Sequence, residues 1–348
     1  PAQTSSDYPQ KLFSPLIWTG DGSTSRAITG LGFQPDWLWF KSRSSAFSNR
    51  LYDTTRGIAS NGGKRLFTNT TGAEVDQTSG QDISAVGTDG FTMGASSNLY
   101  NNDTNSGGLN VGWLWRANGG TTVSNSTGSL SVTQQVDPSG SFSISTYNGD
   151  GGTDTIGHGL SSAPTLVIIK QRNGVNNWAV YAKGAGATKY AYLDSDAAFG
   201  TAAMWQNTTP SSSLVYLGDN NEVNAGGRTY VAYCFADTEG YCKSGSYYGN
   251  ANTDGTFVYT GFKPSFMMCK PLVVGNWRIQ DTKRSPFNVA DKTLFPNHSN
   301  AEQSYYSDNI DILSNGFKMR ASDSNYNQAT TFVYLAMAEN PFKYSLAR

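Results

Sequence analysis

The chain has 348 residues, with 38 Gly, 8 Trp, 19 Tyr and 17 Phe against only 15% charged residues. That mixture favours strands and turns over long helices, which need sustained Ala, Glu, Lys and Leu. A net charge of −1 with no block of Lys and Arg leaves no electrostatic footprint for nucleic acid, and no apolar run approaches the roughly 18 residues of a membrane span.

In chain order, residues 1–15 are too polar and Pro-broken for a strand and are expected to form an N-terminal arm. Pro1 to Gln10 also lacks the basic and apolar parts of a signal peptide, so Sec export is not expected. From there the chain reads as one unit written three times. Gly20, Pro35 and Lys41 recur at the same spacing as Gly149, Pro164 and Lys170, and as Gly249, Pro264 and Lys270. Chance would give about 0.05 such triplets in a chain of this composition.

Each glycine ends a strand-like run and enters a Gly/Asx turn, as in Gly20-Asp21-Gly22 and Gly149-Asp150-Gly151, with Asn250 following Gly249. After each Pro comes an apolar run ending on the Lys: Asp36 to Lys41, Thr165 to Lys170 and Ser265 to Lys270. These runs read as core strands whose charged ends meet solvent. Asp89-Gly90 and Asn315-Gly316 read as hairpin turns. Every copy closes on a hydrophobic strand, Val111 to Ala117, Tyr230 to Ala236 or Phe332 to Ala338.

The expected fold is all-β, with three tandem β-sandwich modules of jelly-roll or lectin-like type, each about 100 residues long. Module 1 spans 16–117, module 2 spans 142–238 and module 3 spans 239–348. Residues 118–141, rich in Gly, Ser and Thr, read as an extended linker, whereas modules 2 and 3 are joined too closely to move apart.

The strings Ala27 to Pro35, Val231 to Ala236 and Phe257 to Pro264, with the ending Ala338 to Phe342, resemble a family common in marine tailed phages and cyanophages. Its members occur as tail-fibre-like or lectin-like virion proteins. The resemblance covers the chain from about Leu16 onward and implies a β-sandwich fold and a place in the virion, assembled in the host cytoplasm. It carries over no binding residue.

Little catalytic chemistry is legible. His158 and His298 lie at non-equivalent places, outside any nucleophile-elbow or zinc-protease pattern. No catalytic residue, metal site or cofactor is expected. Cys234, Cys242 and Cys269 form an odd set without a C-x-x-C pair, which supports neither a disulfide framework nor a zinc site. The pairs Asp53/Arg56 and Asp281/Arg284 read mainly as ion pairs fixing a turn, with a ligand clamp as the alternative. Module 2 has Ala182 to Ala185 in that place, so a site built on the pair exists at most twice.

Trp37, Trp39, Trp113 and Trp115 share strand faces at period two and read as core. Trp205, in a loop-like stretch without a counterpart in the other copies, is the candidate platform for a sugar. The functional expectation is a tail-fibre or fibre-tip adhesin contacting host glycan or protein, assembled with other virion proteins as a homotrimer. A capsid decoration protein is the alternative, and a glycan-cleaving tailspike using carboxylates such as Asp53, Asp281 or Asp311 is the third reading.

Overall fold

The computed structural model describes residues 11–23, 25–58, 63–76, 82–94, 107–304, 309–322 and 326–338. The chain is all-β. Module 1 supplies β1 (Phe13–Thr19), β2 (Arg26–Thr29), β3 (Trp37–Ser42), β4 (Arg50–Asp53), β5 (Lys64–Phe67), β6 (Val75–Asp76), β7 (Ile83–Gly87), β8 (Gly90–Met93) and β9 (Leu109–Trp115). Next come β10 (Val123–Asn125), β11 (Val132–Val136), β12 (Phe142–Asn148), β13 (Asp154–Gly157), β14 (Leu166–Gln171) and β15 (Trp178–Ala182). They are followed by β16 (Lys189–Tyr192), β17 (Gly200–Thr201), β18 (Leu214–Leu217) and β19 (Thr229–Phe235). Module 3 supplies β20 (Cys242–Tyr248), β21 (Phe257–Tyr259), β22 (Pro264–Pro271), β23 (Arg278–Asp281), β24 (Lys292–Thr293), β25 (Gln303–Ser304), β26 (Ile310–Leu313), β27 (Gly316–Met319) and β28 (Thr331–Ala338).

One strand order occurs three times. The large antiparallel sheets contain β1-β9-β3-β4, β12-β19-β14-β15 and β20-β28-β22-β23, and each faces a small sheet, β2-β8-β7, β13-β18 or β21-β27-β26. The registers make Trp37, Leu166 and Phe266 equivalent, since they oppose Trp115, Phe235 and Met337 on the last strand of each copy.

Each central strand is buried on both faces, which is why it reads as an unbroken apolar run. Alternate residues serve two different cores. Leu38 and Phe40 pack toward the small sheet of module 1, as do Val167 and Ile169 in module 2 and Met267 and Cys269 in module 3. Their neighbours Trp37 and Trp39, Leu166 and Ile168, and Phe266 and Met268 all enter one shared cluster. The three large sheets thus converge on a common centre. Trp37 lies 4.4 Å from Trp115, 5.0 Å from Tyr233 and 5.5 Å from Phe142, ring centre to ring centre, and Trp115 lies 5.6 Å from Phe266. Such aromatic pairs add about 0.5–1.5 kcal/mol each beyond the area they bury.

Two expectations about connections are corrected. The stretch 118–141 is a folded part of the large sheet and not an extended linker, because β10 pairs with β11 and β11 pairs along the free edge of β12. Its polar side chains are used locally: Gln135 accepts from the amides of Asn118 and Gly120 and donates to the hydroxyls of Thr54 and Thr55 in module 1. Of the arm expected over residues 1–15, the last four residues belong to the fold. Leu12 is buried and β1 begins at Phe13, with Pro15 opposite Trp113 on an edge strand, where a missing N–H is tolerated. Pro1 to Gln10 lie outside the described residues.

Among the described residues, helix amounts to short pieces such as α1 (Asn221–Asn224) and a 3-10 turn at Ala203–Trp205. No helix there is long and apolar enough to cross a membrane.

Candidate functional site

The repeated residues meet where one module touches the next. Gly20, Gly149 and Gly249 follow β1, β12 and β20, and each donates its amide to the residue just before the last strand, namely Gly108, Arg228 and Thr330. Lys41, Lys170 and Lys270 are the penultimate residues of β3, β14 and β22, but they do not meet solvent: all three are fully buried.

Each lysine ammonium donates to a carbonyl of its own hairpin and to one of a neighbouring module. Lys41 Nζ reaches Phe47 O at 2.7 Å and Ser299 O of module 3 at 2.9 Å. Lys170 reaches Asn176 O at 2.7 Å and Thr71 O of module 1 at 3.0 Å. Lys270 reaches Gly275 O at 2.6 Å and Asp196 O of module 2 at 3.3 Å. The contacts run from module 1 to 3, from 2 to 1 and from 3 to 2, so they close a ring. Burial pushes Lys41 down to about 7 and Lys170 and Lys270 down to about 8. The tip of a long apolar stem serves here as an internal donor, a use the sequence does not distinguish from an exposed strand end.

A second equivalent set repeats the ring. Asn49, Trp178 and Trp277 stand just before or at the start of β4, β15 and β23, and each donates a side-chain N–H across a seam. Asn49 Nδ2 reaches Phe295 O at 3.0 Å, Trp178 Nε1 reaches Phe67 O at 3.0 Å and Trp277 Nε1 reaches Tyr192 O at 2.8 Å.

The Asp-x-x-Arg pairs are buried ion pairs, as their spacing suggests, but they hold more than a turn. Arg56 Nε lies 2.5 Å from Asp53 Oδ2, and its Nη1 lies 2.9 Å from Glu74. Glu74 then takes both Nε and Nη2 of Arg172 in module 2, at 2.9 and 2.8 Å. The Tyr233 hydroxyl, also from module 2, donates to Asp53 at 2.6 Å. Module 3 repeats this against module 1. Arg284 holds Asp281 at 2.5 Å and Glu302 at 3.2 Å, Arg43 grips Glu302 at 2.9 and 2.8 Å, and Trp113 Nε1 donates to Asp281 at 3.0 Å. Burial alone would raise Glu74, but its bonds to Arg172 and the charge of Arg56 leave it below the ordinary carboxylate value.

The third seam, between modules 2 and 3, has the same backbone frame and the opposite chemistry. Phe199 N donates to Leu272 O, as Glu74 N does to Arg172 O and Glu302 N to Arg43 O. Phe199 therefore occupies the glutamate's place and Leu272 the arginine's. Ala182 and Ala185 replace the Asp and Arg, and Leu335 replaces the Tyr233 or Trp113 donor. All five enter or pack against the shared core. A polar network of five side chains has been exchanged for five apolar ones, with no half-exchanged state left behind. That is the outcome expected when a buried charge without its partner costs several kcal/mol.

The sugar-platform expectation for Trp205 is corrected. Its indole is 1% exposed and packs at 5.8 Å against Tyr181 in the private core of module 2. The loop-like stretch lacks period-two alternation because the indole enters the core from a 3-10 turn. Trp37, Trp39, Trp113 and Trp115 are fully buried. His158 is buried, its Nδ1 accepting from Leu160 N at 3.0 Å, while His298 Nε2 lies 2.7 Å from Asn276 Oδ1. Cys234, Cys242 and Cys269 are buried free thiols, and burial pushes Cys234 and Cys269 up to about 12.

Asp21, Asp150 and Asn250 accept the amide two residues on, from Ser23, Gly152 and Asn252. Two buried asparagines that spacing does not reveal, Asn224 and Asn327, brace the second and third of these turns by accepting from the amides of Asp150 and Asn250. Among the described residues no group of three or more His, Cys, Asp or Glu is placed to hold a metal ion.

The repeated lysines and both Asp-x-x-Arg pairs are therefore turned inward. Outside, the exposed large aromatic residues among those described are Tyr248, Phe257, Tyr259 and Phe287, all in module 3.

Fold and seams together define an all-β protein of β-sandwich character, closed on itself through one core. The chain belongs to the family described as Domain of unknown function (DUF7483), which matches residues 6–341. No curated protein matches it.

Proposed function

We propose that the chain is a non-enzymatic structural and binding component of a tailed-phage virion, acting as a tail-fibre or fibre-tip adhesin against the host surface. The observation that carries this reading is the segregation of chemistry. Asp53, Asp281 and their partners are sealed in seams, whereas exposed rings gather on one module. A body whose exposed rings lie in one module suits adhesion, since exposed apolar groups are the usual material of contact surfaces. The tailspike alternative is weakened because neither Asp53 nor Asp281 faces water, and Asp311 is paired with Arg320 at 3.2 Å.

Antibody raised to the purified chain should label tail-fibre tips on intact particles. Labelling of the shell facets would replace the adhesin with a capsid decoration protein. Homotrimeric assembly belongs to the same proposal, since multiplicity raises avidity about 10²- to 10⁴-fold when single contacts are weak. Sedimentation of the purified chain, and of the chain released from virions, should give three times the chain mass; a monomer in both removes the trimer.

A further inference from the structure

We propose that the outer face of the β21-β27-β26 sheet is a carbohydrate-binding face, with Phe257 and Tyr259 as stacking platforms for a neutral polysaccharide. This rests on the adhesin reading and gives it a site.

β21 alternates strictly: Val258 points into the private core, while Phe257 and Tyr259 point out, 43% and 65% exposed. Side chains two apart on a strand lie on one face about 6.5–7 Å from each other. Both rings rest on glycine. A Cβ on Gly316, which opposes Tyr259 on β27, would stand 3.1 Å from Phe257 Cε2, and one on Gly261 would stand 3.8 Å from the Tyr259 ring. Each ring therefore lies along bare backbone on one side and is open to water on another. A ring held in this way loses little conformational freedom when a ligand settles on it.

The fold itself does not ask for these rings. The equivalent outward positions are Ala27 and Thr29 on β2 and Thr155 and Gly157 on β13, where Tyr216 stands part-exposed across from Thr155. On the first strand of the small sheet only module 3 places aromatic side chains at these positions.

Charge selects the ligand class. Lys318, directly across from Phe257, is paired with Asp254 at 2.5 Å, and Asp311, across from Lys318, is paired with Arg320 at 3.2 Å. Charge is balanced within these pairs, so they attract neither a polyanion nor a polycation. They do set donors and acceptors beside the rings. A pyranose, with an apolar C–H face and a rim of hydroxyls, matches rings flanked by paired charges. A protein partner calls for a broader unbroken apolar patch than two rings interrupted by ion pairs provide.

The test is an array carrying neutral glucan, galactan and mannan, acidic alginate and chondroitin sulfate, and purified surface polysaccharide of the host. It is probed with the full chain and with a Phe257→Ala/Tyr259→Ala variant. The full chain should be retained on at least one neutral polysaccharide. The double variant should bind at least tenfold more weakly with an unchanged melting temperature, because both side chains are exposed. Equal retention of the two proteins overturns this site while leaving the adhesin reading intact. Retention on acidic polymers alone, or on a host surface protein and no polysaccharide, overturns the ligand class. Loss of the adhesin reading shows separately, as virion labelling away from the tail.

Discussion

The Tyr233 hydroxyl, from the middle of the last strand of module 2, donates to Asp53 Oδ2 of module 1 at 2.6 Å. In the same relation Trp113 of module 1 donates to Asp281 of module 3 at 3.0 Å. One carboxylate thus reads the turn of its own module and the last strand of another, which ties the folding of each module to its placement against the next. Both ionic seams border module 1, whereas the apolar seam joins modules 2 and 3.

Cutting one member out of the ionic seam should cost more than replacing all of it. Arg56→Ala leaves Asp53 buried without its guanidinium partner, and the expected loss is about 3–5 kcal/mol in urea unfolding. The fivefold variant Asp53→Ala, Arg56→Ala, Glu74→Phe, Arg172→Leu and Tyr233→Leu, copying the third seam, should recover most of that loss. Equal loss in the two variants would mean that the exchange at the third seam is not a self-sufficient unit.

Acid should act through Glu74. Its folded value lies below the ordinary 4.5 because the arginine contacts outweigh burial. Its contribution to stability is therefore fully present above about 4.5 and is lost as pH falls through the lower folded value. Glu74→Gln should flatten that part of the stability curve, read by denaturant unfolding at a series of acid pH values.

The lysines should act in the alkaline direction. Burial brings Lys41 down to about 7 from an ordinary 10.5, so between these values the unfolded chain binds more protons than the folded one and stability rises with pH. The slope is about 1.4 kcal/mol per unit for a group that titrates fully across the window. Lys41→Met, which keeps the stem and removes the charge, should abolish its share of the rise. Unfolding midpoints from pH 7 to pH 9 measure it.

Trp205→Ala should behave as a core deletion, losing about 3–5 kcal/mol. Wherever the variant remains folded, its retention on polysaccharide should equal that of the parent chain. A stable variant with weakened retention would return Trp205 to the binding surface.

Limited proteolysis should spare residues 118–141. β10 and β11 are hydrogen-bonded into the large sheet of module 2, and Gln135 pins them to module 1. Early cleavage there, mapped by mass spectrometry, would show that these strands open independently of the rest.

The all-β character and the core tryptophans were legible because each follows from local spacing and alternation. The linker was misread since Gly, Ser and Thr dominate it, and only pairing partners reveal that Val132 and Gln135 face inward. The lysines and Trp205 were misread for a related reason: a buried and an exposed side chain look alike when the burying surface comes from another module or from a distant turn. Glu74, Glu302, Arg43 and Arg172 had no signal in any single module, because their meaning exists only between modules. The exchange to Phe199 and Leu272 could have drawn notice, as two charged positions that turn apolar together.

The apolar third seam also fixes the cyclic order of the three copies. If module 2 followed itself in a shuffled chain, Arg172 would be set against Phe199 and Ala185, with no carboxylate to receive it. If module 3 followed module 1, Glu74 would face Leu272. Each copy is cut for one neighbour, so a shuffle that changes neighbours leaves a buried charge without its partner unless five positions move together. The chain keeps one strand order three times over in its backbone, while its side chains allow the copies to be reordered only in a cycle.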